Sequence, residues 1–169
     1  MALNSIIPFD DGTYMPGTKR HAVALSAAGA SIKAGELVMK TLGNASVKAL
    51  VIPGIATALK PSVSSDYLAG LAMSTSTETT AAAGTVDVMP IIPGCTFVCA
   101  YNTSSSWDTQ AEYDALVGDR VLLNIATTGV VTVLHTDSAN NGLVVEPLNI
   151  TKHPGLVRFS IRQALSYAQ

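Results

Sequence analysis

Apolar and polar residues alternate in short runs along most of this chain, and a turn residue closes almost every run. Thr96–Tyr101 (TFVCAY) departs from the alternation. Phe97, Cys99 and Tyr101 make one face apolar while Val98 and Ala100 make the other so, which predicts a strand buried on both sides. Further strands are predicted over His21–Ser26, Glu36–Lys40, Val47–Val51, Tyr67–Ser74, Thr85–Ile91, Arg120–Ile125, Val130–His135, Leu143–Glu146 and Leu156–Arg162. Short strands at regular intervals predict an all-β fold, a small antiparallel β-barrel or sandwich. In the last strand Val157, Phe159 and Ile161 face a core while Arg158, Ser160 and Arg162 face out.

Turn chemistry separates the runs. Gly43-Asn44, Pro53-Gly54, Pro93-Gly94, Asn141-Gly142 and Pro154-Gly155 each offer a bend or a positive-φ position, and Asn141-Gly142, between VVTVLH and LVVEP, predicts a hairpin. Thr109 with Glu112 three residues on forms a capping box that starts one short helix. Gly118 supplies its left-handed stop, and Asp119 leads into Arg120–Leu123, a run expected beside TFVCAY. Ala34-Gly35-Glu36-Leu37-Val38 echoes Val117-Gly118-Asp119-Arg120-Val121, and Ile52-Pro53-Gly54 echoes Ile92-Pro93-Gly94. Two such pairs do not by themselves establish a repeat. Ser74–Gly84 (STSTETTAAAG) is polar and built of small residues, which predicts an exposed, mobile loop.

Residues 1–20 carry no long periodicity, only the apolar cluster Ile6, Ile7, Pro8 and Phe9 followed by Asp10-Asp11-Gly12 and Pro16-Gly17. They are expected to form an extended N-terminal arm, packed either as an edge segment on its own domain or on a neighbour. Residues 21–169 are expected to form a single β-rich domain.

Composition adds a functional constraint. Charged residues are only 13% of the 169, against about 25% in an ordinary soluble domain, so part of the surface is expected to be hidden against other subunits. Residues 1–60 hold six Lys/Arg and three Asp/Glu, 61–150 hold one and nine, and 151–169 hold three and none. That distribution suits complementary subunit contacts, whereas the lack of a basic run interleaved with aromatics argues against direct nucleic-acid binding. Cys95 and Cys99, four residues apart on one strand, are too distant to bridge to each other and are expected to be buried thiols. MALNSIIPFDDG lacks the features of a signal peptide, and no apolar stretch is long enough for a membrane span. Asn44, Asn102 and Asn149, each in an Asn-x-Ser/Thr triplet, are read as loop residues.

No catalytic set, metal site or cofactor motif emerges. His135-x-Asp137 is the one suggestive spacing, and two ligands fall short of the three or four that a metal site needs. Ser104–Ser106 lie near Asp108 without an adjacent base. Trp107, just before the helix cap, is expected to pack over the core. An exposed Trp107 with Tyr101 and Tyr113 would instead suit a carbohydrate-binding or tail-associated module, and a polar pocket around His135 would suit a small enzyme.

On Gly35-Glu36-Leu37-Val38, the run DYLAGLAMSTS, the VDVMPIIPG turn and the VGDRVLL entry, the chain resembles head decoration (cement) proteins of tailed bacteriophages over roughly 30–162. The resemblance implies a homotrimer on the outer surface of the virion. Seated at local three-fold positions, it would brace major capsid protein subunits through binding energy alone, with no turnover. Ile6, Ile7 and Phe9 of the arm, with Arg158 and Arg162 of the last strand, are the candidate capsid or subunit contacts.

Overall fold

The computed structural model describes residues 6–9, 16–23, 32–41, 46–49, 54–56, 66–79, 81–92, 94–101, 107–125, 131–135 and 142–161. The protein is all-β, with one short helix among the described residues. Where the sequence reads as an arm, 1–20, and a single β-rich domain, 21–169, the chain divides into two compact units. A C-terminal unit comprises Met1–Tyr14, Ile52–Leu59 and Pro93–Arg162, and an N-terminal unit comprises Met15–Val51, Lys60–Ile92 and Gln163–Gln169.

The strands are β1 (Ile7–Pro8), β2 (Lys19–Val23), β3 (Leu37–Thr41), β4 (Ser46–Ala49), β5 (Gly54–Ala56), β6 (Asp66–Ala72), β7 (Gly84–Met89), β8 (Thr96–Ala100), β9 (Arg120–Ile125), β10 (Val131–Leu134), β11 (Leu143–Glu146) and β12 (Leu156–Ile161), with helix α1 (Gln110–Ala115) between β8 and β9. All ten predicted strands are present within a few residues of their expected ends. The two additional ones, β1 and β5, hold two and three residues, too few to show a period of two in the sequence.

In the N-terminal unit, β2-β4-β3-β6-β7 closes into a barrel in which only the β2–β4 contact is parallel. Its core holds Val23, Ile32, Val38, Val47, Ala69, Ala72, Val86 and Val88. These are mostly β-branched or small side chains, which suit the cramped interior of a five-stranded barrel.

The C-terminal unit runs β1-β8-β12-β11-β9-β10, and β5 pairs with β9. An isolated parallel bridge between Tyr101 and Val133 returns β10 to the end of β8. Phe97 and Phe159 face each other across the β8–β12 pair with ring centroids 6.0 Å apart, both fully buried. Burying side chains of this size contributes about 1.5–3 kcal/mol each. Val157, Phe159 and Ile161 are buried while their neighbours in the strand are half-buried, the expected alternation.

The two circuits have the same order and register. Strands β2, β3, β4, β6 and β7 correspond in turn to β8, β9, β10, β11 and β12. The pair Lys19–Val88 matches Phe97–Phe159, Lys40–Val47 matches Leu123–Val133, and Ala72–Val88 matches Val145–Phe159. The parallel contact Val23–Val47 matches Tyr101–Val133. Hydrogen bonds at the entry to the second strand repeat as well. Gly35 N–H donates to Ala72 O (2.8 Å) and Ala72 N–H to Glu36 O (2.8 Å), while Gly118 N–H donates to Val145 O (3.0 Å) and Val145 N–H to Asp119 O (3.0 Å). Both glycines have positive φ, 84° and 95°, where a Cβ meets steric opposition. The Gly-acid echo in the sequence thus marks one structural position occurring twice.

Three expectations are corrected. Strands β10 and β11 do not form a hairpin across Asn141-Gly142, because β9 lies between them and pairs with both; Asn141 itself lies outside the described residues. Nor does β9 lie beside β8. Its edges are taken by β10 on one side and by β11 and β5 on the other, and contiguity through α1 does not impose adjacency. Within the loop expected to be exposed, Ser76 and Glu78 are buried. Ser76 substitutes for a ladder partner, with its N–H donating to Ile32 O (2.8 Å) and its Oγ accepting from Ile32 N–H (2.9 Å).

Candidate functional site

Four of the five candidate contact residues come together in the C-terminal unit. Strand β1 pairs antiparallel with β8, Ile7 opposite Val98 and Pro8 opposite Phe97, and Phe9 N–H donates to Thr96 O at 2.9 Å. Proline is tolerated there because β1 is an edge strand. Ile6 is buried at 2% exposure, whereas Ile7 remains 38% exposed.

Strand β12 flanks the other side of β8 and places Arg158 opposite Val98. The Arg158 guanidinium lies 4.8 Å from the centre of the Phe9 ring, a cation–π contact, and His153 meets the same ring edge-on at 5.5 Å. Arg158 Nε donates to Thr96 Oγ1 (3.1 Å) and Nη1 to Pro147 O (3.3 Å). The arm segment is therefore an edge strand of its own unit, clamped at Phe9 by Arg158. Arg162 lies outside the described residues.

Tyr113 of α1 reinforces this arrangement from behind. Its hydroxyl donates to Glu146 O (2.9 Å) and accepts from Arg158 N–H (3.0 Å), and burial pushes its pKa up to about 12. The helix is set by the predicted capping box. Glu112 N–H donates to Thr109 Oγ1 (3.3 Å), and Thr109 N–H to Glu112 Oε2 (2.9 Å). Thr109's hydroxyl also donates to Glu112 and is the main cause of that carboxyl's lowered pKa. Gln110 then mimics a backbone unit, donating to Leu148 O (2.9 Å) and accepting from Ile150 N–H (3.0 Å). These two bonds fix the loop that carries His153.

Trp107 is buried at 6% exposure, beside Tyr101 (5.3 Å), His135 (6.0 Å) and Tyr113 (6.4 Å). A buried indole offers no platform for stacking a sugar. His135 Nε2 pairs with Asp119 Oδ2 at 3.1 Å. Asp137, the partner its spacing suggested, lies outside the described residues, among which no group of three or more His, Cys, Asp or Glu could hold a metal. Cys95 and Cys99 are buried thiols outside any disulfide, and burial pushes Cys99 up to about 12. No helix among the described residues is long and apolar enough to cross a membrane.

Sequence reasoning missed the pairing of Phe9 with Arg158. Each was singled out, but nothing in the pattern brings together residues 149 positions apart on the two sides of β8. It also missed Glu78, which is buried at 8% exposure with no hydrogen-bond partner for either carboxylate oxygen among the described residues. No known protein family, curated protein or solved structure matches the chain.

Proposed function

We propose that this protein is a structural component of a virion, a decoration or cement protein that binds the outer surface of a phage head as a trimer. There it braces contacts between major capsid protein subunits. The observation that carries this reading is a surface poor in charge. Ten Lys/Arg and twelve Asp/Glu serve 169 residues, and Ile7, Met73 and Val117 are large apolar side chains left exposed. A chain of this kind gains by removing surface from water, at about 25 cal/mol per Å² of apolar area, and three tethered copies raise each other's effective concentration on a shell. The buried state of Trp107 disfavours the carbohydrate-binding alternative.

The test combines light scattering of the purified chain with sedimentation against undecorated heads. A trimer that co-sediments with expanded heads and protects them from rupture is the expected result. A strict monomer at micromolar concentration that also ignores the heads overturns the reading.

A further inference from the structure

The first strands of the two units are completed differently. In the C-terminal unit the outer edge of β8 is occupied twice, by β10 through the Tyr101–Val133 bridge at its end and by β1 at Phe97 and Val98 near its start. In the N-terminal unit β4 takes the end of β2 in the same way, pairing Ala22 with Ser46 and Val23 with Val47. Lys19 and Arg20, the register equivalents of Phe97 and Val98, pair with β7 on one side, and among the described residues no strand lies on their other side. Backbone direction follows from the same equivalence. Tyr101 N–H points to Gly155 on the β12 side and Thr96 O points to Phe9 on the β1 side, so alternation turns the Val98 N–H and C=O towards β1, and those of Arg20 towards the open edge.

The chemistry around the two edges also differs. Phe97 and Val98 are buried and receive the apolar segment Ile6–Phe9, whereas Lys19 and Arg20 are exposed. Lys19 and Lys40 both act on His21, whose pKa is lowered first by burial and then by these two cations. Asp87, bound to Arg20 at 2.9 Å, is the one carboxylate paired with this group among the described residues.

We propose that the edge of β2 at Lys19–Arg20 is a strand-docking site that takes an extended, carboxylate-bearing segment of the shell protein, antiparallel to β2. This rests on the decoration reading above. Main-chain bonds to Arg20 supply affinity, as in other strand additions, and the cations guide approach and fix register. The Ile6–Phe9 segment of a second copy is not the occupant, since each chain uses that segment on its own β8.

The test mixes the intact chain with the capped peptide EVEVEVE, uses KVKVKVK as comparator, and reads amide exchange at Arg20. The acidic peptide is expected to slow exchange there by about tenfold or more, and the basic one to leave it unchanged. Arg20→Pro, which removes only an outward N–H from the ladder, is expected to abolish peptide binding with an unaltered Tm. If it lowers the Tm, Arg20→Gln decides, because it keeps the N–H and should bind more weakly yet show full protection at saturation. Unchanged exchange with EVEVEVE, or equal protection by both peptides, overturns the site. So does slow exchange in the free chain that deletion of residues 162–169 releases, since the occupant is then the chain's own tail. Heads that take up the protein with no change at Arg20 overturn the docking site and leave the decoration reading standing. Peptide protection without uptake by heads overturns the decoration reading and upholds the strand site.

Discussion

The two units share a strand order, a register and one glycine-acid entry, yet their first strands have almost opposite character. Thr96 to Cys99 of β8 are buried, while Lys19, Arg20 and Ala22 of β2 are exposed. Backbone closure therefore constrains topology far more than side-chain content. Both five-strand circuits carry one parallel contact and a positive-φ glycine at the second-strand entry, while the cores are filled with aromatics in one unit and β-branched residues in the other. Where the same backbone position is apolar in one unit and charged in the other, the difference marks what each meets.

The largest expected effect separates the cores. Phe159→Ala should cost about 3–5 kcal/mol, the usual range for a buried Phe, and should speed amide exchange in β8 and β12. Its register counterpart, Val88→Ala, removes far less volume and should cost roughly half as much, with faster exchange confined to β2 and β7. Equal losses from the two variants would mean that register equivalence does not carry over to packing.

Alkaline pH should also single out the C-terminal unit, because Cys99 and Tyr113 both lie in it with pKa values raised to about 12. Each keeps its proton in the native state after the unfolded chain has lost it, from about pH 8.5 for Cys and about pH 10 for Tyr. Stability from these groups is thus complete below those unfolded values, declines as pH rises above them, and stops declining once both native groups have ionised near pH 12. Trp107 fluorescence reports this unit. Urea midpoints read by it at pH 7, 9 and 11 should fall in sequence, and Cys99→Ala with Tyr113→Phe should flatten the slope. An unchanged slope in the double variant would show that other groups govern alkaline unfolding.

The shared entry is probed by Gly35→Ala and Gly118→Ala. Forcing a Cβ into the left-handed region costs about 1–2 kcal/mol. A methyl group at Gly118 would stand in open space, so its loss should reflect backbone strain alone, while the buried Gly35 should lose at least as much. A neutral Gly118→Ala in denaturant titrations would break the equivalence at this point.

These comparisons also explain what was legible in the sequence. Strands such as Arg120–Ile125 and Leu143–Glu146 could be read to their ends, because alternation and flanking Gly residues are local signals. The capping box at Thr109 and Glu112 was equally local. Pairing was not. Asn141-Gly142 has the composition of a tight hairpin, but β9 lies between β10 and β11 and pairs with both, and no residue in the turn records that competition. The repeated circuit left only the Gly-acid pair visible, since matched positions differ as much as the exposed Lys19 and the buried Phe97. At the candidate site, Phe9 and Arg158 were legible as an arm aromatic and an exposed-type cation, and their contact needed the fold.

The smallest expected effect contrasts two residues at one register position, Arg158 of β12 and Asp87 of β7. Asp87 meets Arg20 at the surface, where solvent screens the pair and holding two side chains in place offsets much of the attraction. Asp87→Asn should therefore leave the Tm of the isolated protein unchanged within error. Arg158 is half-buried against Phe9, Thr96 and Pro147 O. Arg158→Gln should cost about 1 kcal/mol, the scale of one cation–π contact with its accompanying hydrogen bond, and should loosen the arm, so that the Phe9 amide exchanges faster while β11 does not. Arg158→Lys separates charge from shape, because an ammonium can sit over the ring but cannot span Thr96 Oγ1 and the Pro147 carbonyl as a planar fork does. Partial rescue by Lys is expected. Full rescue would reduce the clamp to the charge over Phe9, and an unaltered Phe9 amide in Arg158→Gln would mean that the β1–β8 ladder holds the arm without it.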